Sequence, residues 1–280
     1  MPATGIFKNP QMPQIEGMDS YEGALLHSRD FKHPDQVKGK RVLVVGNGPS
    51  GTDIAIAAGA VAADGYSYLA IRTGVDLRPR YPYGLPNHAW MLLGSYLPEE
   101  WCAWLMKTTN SVKYDIERFG LWEAPPGSEV VTGYRGPELL NAVREGQVKP
   151  VRHPIRFDKH GAELFDGTYL EVDTVIMATG FMPVLHQYMD IEMQYSHEAY
   201  SQASGGCAWD IGPNGVRGWP LRDVSQHSNG RQVLGHDGLY LVGVFYKGRG
   251  AFYNMPIEAQ IAAEQITDYL THKQFSGVTV

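Results

Sequence analysis

The clearest pattern of apolar and polar positions lies between Lys40 and Gly74. Val42 to Val45 is a continuous apolar run of strand length, Ser50 to Ala63 has the length and alanine-rich make-up of a helix, and Ser67 to Gly74 is strand-like again. Strand, glycine-rich turn, helix and strand within roughly 30 residues form a β-α-β unit, whose two strands run parallel. The first forty residues carry Pro2, Pro10, Pro13 and Pro34 among Gly5, Gly17 and Gly23, which predicts an extended, turn-punctuated segment with little regular structure. Residues 75–150 mix Trp, Met, Tyr and Leu at helical intervals after a Pro-rich entry and predict a helical excursion. That stripe reads first as packing, and alternatively as a lid or substrate wall.

Sheet returns after Val151, as a hairpin (Ile155 to Phe157, Ala162 to Phe165) followed by a buried strand over Thr174 to Ala178. Residues 186–236 are rich in Gly, Ser, Gln and His and show no period, so loops and short helices are expected. The chain closes with a strand (Gly238 to Phe245), a turn-rich loop, and a helix with apolar residues at Ile257, Ile261, Ala262, Ile266 and Leu270.

Composition narrows the function. The 280 residues allow one large domain or two lobes, and 43% hydrophobic against 19% charged residues supports a globular core. A net charge of −6 leaves no overall basic field for a phosphate backbone or an acidic membrane, so nucleic acid is a poor partner. Two cysteines, Cys102 and Cys207, build neither a disulfide framework nor a paired metal site, which fits a cytoplasmic location. No run approaches the ~18 apolar residues of a membrane span, and no export signal opens the sequence. The ten histidines show no metal-binding spacing, and without a Gly-x-Ser-x-Gly elbow a serine hydrolase is rejected.

The strongest chemical signal is Gly46-Asn47-Gly48-Pro49-Ser50-Gly51, which follows an apolar strand and opens a helix. Gly46 permits the tight turn, Gly48 lets backbone come close to a pyrophosphate, and Gly51 lets the helix pack on the strand. The helix N-terminus offers free N–H groups and a partial positive charge to the phosphates. Ser50 either touches a phosphate or is simply an N-terminal helix residue. At the end of the second strand an NAD site normally has an acidic residue, but here Arg72 stands there, which favours the 2′-phosphate of NADP. Ala178-Thr179-Gly180 follows the buried strand, and Gly180 can let the chain leave the sheet edge near a ligand. The cationic loop Lys247 to Gly250 either approaches cofactor phosphates or is a solvated turn.

Taken in order, ATGIFKNPQMP, then Tyr21, Gly23, His27 and Phe31 at the spacing aromatic-x-Gly-x-x-x-His-x-x-x-aromatic, then VLVVGNGPSG, then ATGFMP resemble the flavin-containing monooxygenases. Tyr21 stands where the commoner residue is Phe. The resemblance implies that NADPH reduces FAD and that O2 then gives a C4a-(hydro)peroxyflavin, which oxygenates a small organic substrate, either a soft nucleophile or a ketone. His27 either holds a loop by hydrogen bonds or takes part in catalysis.

Members of that family carry a second G-x-G-x-x-G for FAD, and this sequence has that spacing once. The expected fold is α/β: a Rossmann-like parallel-sheet NADP-binding lobe over residues 36–182, with a helical insertion. It is flanked by segments of an incomplete FAD-binding lobe, residues 1–35 and 183–280. The expected protein is one half of a split monooxygenase whose second polypeptide supplies the FAD-binding half. The alternative is a non-catalytic NADPH-binding module or sensor. No catalytic residue can be carried over from the family, because its active-site Asn region is absent.

Overall fold

The computed structural model describes residues 8–77, 79–94, 96–125, 136–182, 210–211, 217–218, 238–240, 242 and 251–275. The chain forms two units, Pro10–Gly180 and Met1–Asn9 with Phe181–Val280. In chain order the strands are β1 (Asn9–Pro10), β2 (Ala24–His27), β3 (Val42–Val45), β4 (Ser67–Ile71), β5 (Val148–Arg152), β6 (Pro154–Phe157), β7 (Gly161–Leu164), β8 (Tyr169–Glu171), β9 (Thr174–Met177), β10 (Phe181–Met182), β11 (Asp210–Ile211) and β12 (Arg217–Gly218). The α-helices are α1 (Pro49–Gly59), α2 (Asn87–Gly94), α3 (Glu99–Asn110), α4 (Gly136–Arg144) and α5 (Ala251–Phe275).

The unit Pro10–Gly180 is built on a five-stranded parallel sheet in the order β2-β9-β3-β4-β5. β3 leads through α1 to β4 on one side, and β9 lies on the other, so the strand order reverses at β3. Every residue of β3 and β9 is buried, as an interior strand covered on both faces requires. Alternate residues serve opposite layers. Val42, Val44, Leu69, Ile71 and Ile176 pack with Ile54, Ala55 and Ala58 of α1 and Leu139, Leu140 and Ala142 of α4. Leu43, Val45, Ala70, Val175 and Met177 pack with Phe157, Ala162, Leu164 and Leu170 of the antiparallel sheet β6-β7-β8. The unit is therefore layered helix, parallel sheet, antiparallel sheet.

At the amino edge Arg41 fastens β3 to β9. Its Nη2 lies 2.8 Å from Asp173 Oδ1, its Nη1 donates to Glu171 Oε2 at 2.6 Å, and its backbone N–H donates to Asp173 Oδ2 at 2.8 Å. These bonds hold the Asp173 carboxyl below the usual carboxylate range.

Two features differ from the sequence expectation. The stretch before residue 36 supplies β2, which pairs in parallel with β9 from Ala24↔Thr174 to His27↔Met177. Its hydrogen bonds come from residues about 150 positions away, so no local pattern announces it. The aromatic stripe, expected mainly to pack, turns outward in α3 and the link before it: Tyr96 in the link is 82% exposed, and Trp101 and Trp104 of α3 are 61% and 60% exposed. Trp90 does pack, donating from Nε1 to Pro82 O at 2.8 Å and meeting Tyr83 edge to face.

In the other unit, α5 contains the expected closing helix, but Ile257, Ile266 and Leu270 are exposed while Glu258 and Ala262 are buried. The expected strand over Gly238 to Phe245 and the Lys247 to Gly250 loop lie largely outside the described residues.

Because Ile176 is fully buried in the central strand, Ile176→Ala is expected to cost ~2–5 kcal/mol of folding stability. Ile155→Ala, at a half-exposed position, should stay within about 0.5 kcal/mol. Denaturant midpoints of the two variants check this difference.

Candidate functional site

All five parallel strands end on one edge, and ligands of open α/β sheets bind outside that edge where strand order reverses. The register sets the positions. His27, Val45 and Met177 lie abreast, since Met177 pairs with both His27 and Val45, and Val45 also pairs with Ala70. The next residues, Ser28, Gly46 and Ala178, therefore leave the sheet together.

The glycine turn begins with Gly46, whose N–H donates to Ala70 O at 3.0 Å and whose φ is +109°. A side chain there would be strained, and its Cβ would lie 2.5 Å from Ala178 O. Gly51 is required by packing, because a Cβ would sit 1.8 Å from Gly46 O. Gly48 is different. It caps α1 with φ −68° and ψ 178°, an extended conformation open to any residue, and an added Cβ would meet nothing within 4 Å. Neither conformation nor packing among the described residues asks for glycine at that position. Close approach of a ligand to the protein backbone is one reason for a glycine in such a place. Pro49 occupies the first helical position, where its missing N–H costs little, and Ser50 is exposed beside it. Asn47 anchors the turn, donating from Nδ2 to Gly74 O at 2.9 Å beyond the end of β4.

A second loop faces this edge after β9. Ala178 N–H donates to Val45 O at 2.8 Å, Thr179 Oγ1 donates to Gln11 O, and Gly180 has φ +87°. Gly180 O accepts from Gln11 N at 2.9 Å and from His27 Nε2 at 3.0 Å, while His27 Nδ1 accepts from Arg29 N at 3.1 Å. These partners assign the proton to Nε2 and make the ring neutral. Burial pushes the His27 pKa below its ordinary value, outweighing the hydrogen bond to Gly180. His27 thus joins the end of β2 to the loop after β9.

Arg72 follows Ile71 at the end of β4 and is exposed. The structure brings to it two residues that the sequence reading passed over. Ile71 pairs with Arg152, so Arg152 and His153 end the neighbouring strand beside Arg72. Arg152 lays its guanidinium over the Trp122 ring at 3.7 Å, and the His153 ring stacks on Phe165 with centroids 5.1 Å apart. The available signal was the basic pair closing the apolar-bordered run Val148 to Val151. Only the sheet order, however, shows that β5 lies next to β4. Among the described residues no group of His, Cys, Asp and Glu could hold a metal ion, and no helix is long and apolar enough to cross a membrane.

A switch-point edge, a glycine turn on a helix N-terminus and a nearby cluster of basic side chains are the geometry of a Rossmann-type α/β fold. Comparison with known proteins gives the family. Residues 1–197 match the model of the flavin-binding monooxygenase-like (FMO-like) family. The chain belongs to that family, whose members are FAD- and NADP-dependent monooxygenases. It is similar to the probable indole-3-pyruvate monooxygenase YUCCA3 of Arabidopsis thaliana, 30% identical over an alignment 196 residues long that covers 64% of this chain and 42% of that protein. It is also similar to dimethylaniline monooxygenase (N-oxide-forming) 4 of Homo sapiens, 31% identical over 193 residues, 65% of this chain and 34% of that one. Among solved structures, a flavin-containing monooxygenase from Stenotrophomonas maltophilia shares the fold, with a TM-score of 0.56 at 20% identity over 96% of this chain and 62% of that one. The chain thus spans less than half the length of these two curated relatives.

Two outcomes follow from the site geometry. Gly51→Ala should destabilise the fold by ~1–3 kcal/mol through overpacking, whereas Gly48→Ala should change stability by no more than about 1 kcal/mol; thermal melts of both variants test this. Holding His27 neutral also makes stability depend on pH. Since its folded pKa is depressed, the unfolded chain binds the proton more readily, so His27's contribution is intact above its ordinary value near 6.5 and is lost as pH falls from there through the folded pKa. The loss in melting temperature between pH 7.5 and pH 5.5 should be smaller in His27→Gln than in the native chain.

Proposed function

We propose that Pro10–Gly180 is the NADPH-binding half of an FAD-dependent monooxygenase that oxygenates a small organic substrate with O2. The observation that carries this is Gly48, a glycine at the switch point that neither its own conformation nor its neighbours require. Gly46, Asn47, Gly48, Pro49, Ser50 and Gly51 would cradle the pyrophosphate with backbone N–H groups at the start of α1. Arg72 would pair with the 2′-phosphate, as a guanidinium suits a phosphate better than the ribose hydroxyl of NAD. Thr179 and Gly180, held by Gln11 and His27, would form the opposite wall. When bound, NADPH supplies the hydride that reduces the flavin. The chain's own residues bind and orient the dinucleotide at that edge, and His27 acts by positioning Gly180.

In this proposal the single glycine-rich phosphate turn of these 280 residues serves NADPH, and FAD is bound by residues beyond them. The corresponding division of the chain is an NADP-binding lobe to about residue 182, with the remaining segments completing an FAD-type lobe. The cysteine usage fits a cytoplasmic setting.

Arg72→Ala is expected to weaken NADPH by ~1–3 kcal/mol while leaving NADH nearly unchanged, and Gly48→Ala to weaken both; equal losses for the two cofactors in Arg72→Ala would remove Arg72 from the phosphate site. Absorption spectra of the purified 280-residue chain, read for oxidised flavin after FAD is added and the excess removed, test the second half of the proposal. Flavin retained by these residues alone would overturn the placing of the FAD site beyond them.

A further inference from the structure

The basic cluster at the ends of β4 and β5 holds a feature that phosphate recognition by Arg72 does not use. Arg29, Arg41, Arg80, Arg118 and Arg156 each face a carboxylate. Arg72 and Arg152 have no carboxylate partner among the described residues. The parallel register pairs Ile71 with Arg152, so His153, one step on, comes abreast of Arg72 on a neighbouring strand, at a spacing of about 4.8 Å between strands. His153 is half-buried, and its Nδ1 is shielded from water without a hydrogen-bond partner among the described residues.

The surroundings of the imidazole are cationic or apolar. Arg72 acts on it from the end of β4 and Arg152 from the preceding position of its own strand. Phe165, beyond β7, stacks on its ring and donates its backbone N–H to His153 O at 3.0 Å. Next to Phe165 stands Asp166, whose carboxylate accepts from Thr168 N at 3.1 Å and feels Arg152 only weakly. Burial first, then the charges of Arg72 and Arg152, push the His153 pKa below its ordinary value. The free protein therefore keeps this ring neutral at physiological pH.

We propose that His153 is a pH-gated third cation of the 2′-phosphate subsite, taking up one proton from solvent when the phosphate of NADPH docks against Arg72 and Arg152. This rests on the NADPH reading given above. The physical ground is a change in the sign of the local field. A phosphate monoester carries between one and two negative charges near neutral pH, with a second pKa of about 6. Set beside the two guanidinium groups, it cancels the repulsion that keeps the imidazole uncharged, and it offers an acceptor to the new N–H. NADH, which lacks that phosphate, leaves the field as it was. His153 would then tie preference for the phosphorylated cofactor to acidity, strengthening it as pH falls.

The test is calorimetric titration of the full chain with NADPH and with NADH, in phosphate-free buffers of different ionisation enthalpy, between pH 6 and pH 8. Native protein should take up as much as one proton with NADPH beyond that seen with NADH. The ratio of NADH to NADPH dissociation constants should rise as pH falls, with a limit of about tenfold per pH unit for one linked proton. His153→Gln should remove the extra uptake and flatten the ratio, apart from the titration of the phosphate itself. His153→Lys, which fixes a cation there, should keep the preference for NADPH at pH 8 and remove its His-linked pH dependence. Uptake in His153→Gln equal to that of native protein overturns the proposal, as does native protein that prefers NADPH with no linked proton. Native protein that binds both cofactors equally overturns the NADPH reading itself, a result distinct from the other two.

Discussion

The parallel register of β9, β3 and β4 is the constraint on which the remaining geometry depends. Met177, Val45 and Ala70 are hydrogen-bonded neighbours in adjacent strands, so the residues that follow them leave the sheet at one level. That alignment makes a turn beginning at Gly46 and a loop beginning at Ala178 meet, closely enough that no side chain fits between Gly46 and Ala178 O. Burial on both faces fixes the alignment. Slipping one residue would turn Val42, Val44 and Ile176 away from the helices and onto the antiparallel sheet. Arg41 braces the opposite edge, so the site is set by both ends of the same strands.

Within this frame the three turn glycines serve separate purposes. Gly46 answers to backbone conformation and Gly51 to the approach of the helix, while at Gly48 neither reason applies among the described residues. The sequence pattern shows three glycines at the correct spacing, while their surroundings in the fold distinguish them. Much the same holds for histidine. His27 is fully used, with both ring nitrogens engaged, whereas His153 has a nitrogen without a partner among the described residues and two cationic neighbours.

How legible each part was depended on how local its cause is. The Val42 to Val45 strand, the glycine turn and α1 could be read because buried parallel strands are continuously apolar and helix starts need particular residues. The hairpin of β6 and β7 and the buried β9 were legible for similar reasons. β2 was not, since four residues that alternate little become a strand only through pairing with β9. Arg152 and His153 were present in the sequence as an ordinary basic pair. Their closeness to Arg72 follows from sheet order, which no local pattern encodes. The aromatic stripe misled for another reason: periodicity shows which face of a helix is apolar, but not whether anything covers that face.

The outward face of α2 and α3 bears on how the material handles. Leu92 and Leu93 of α2, Tyr96 and Leu97 of the link, and Trp101 and Trp104 of α3 are exposed to water. Soluble monomers rarely display an oily tract of that kind. Concentrated stocks of the isolated polypeptide should cling to one another and to plastic, and mild detergent or glycerol should keep them dispersed.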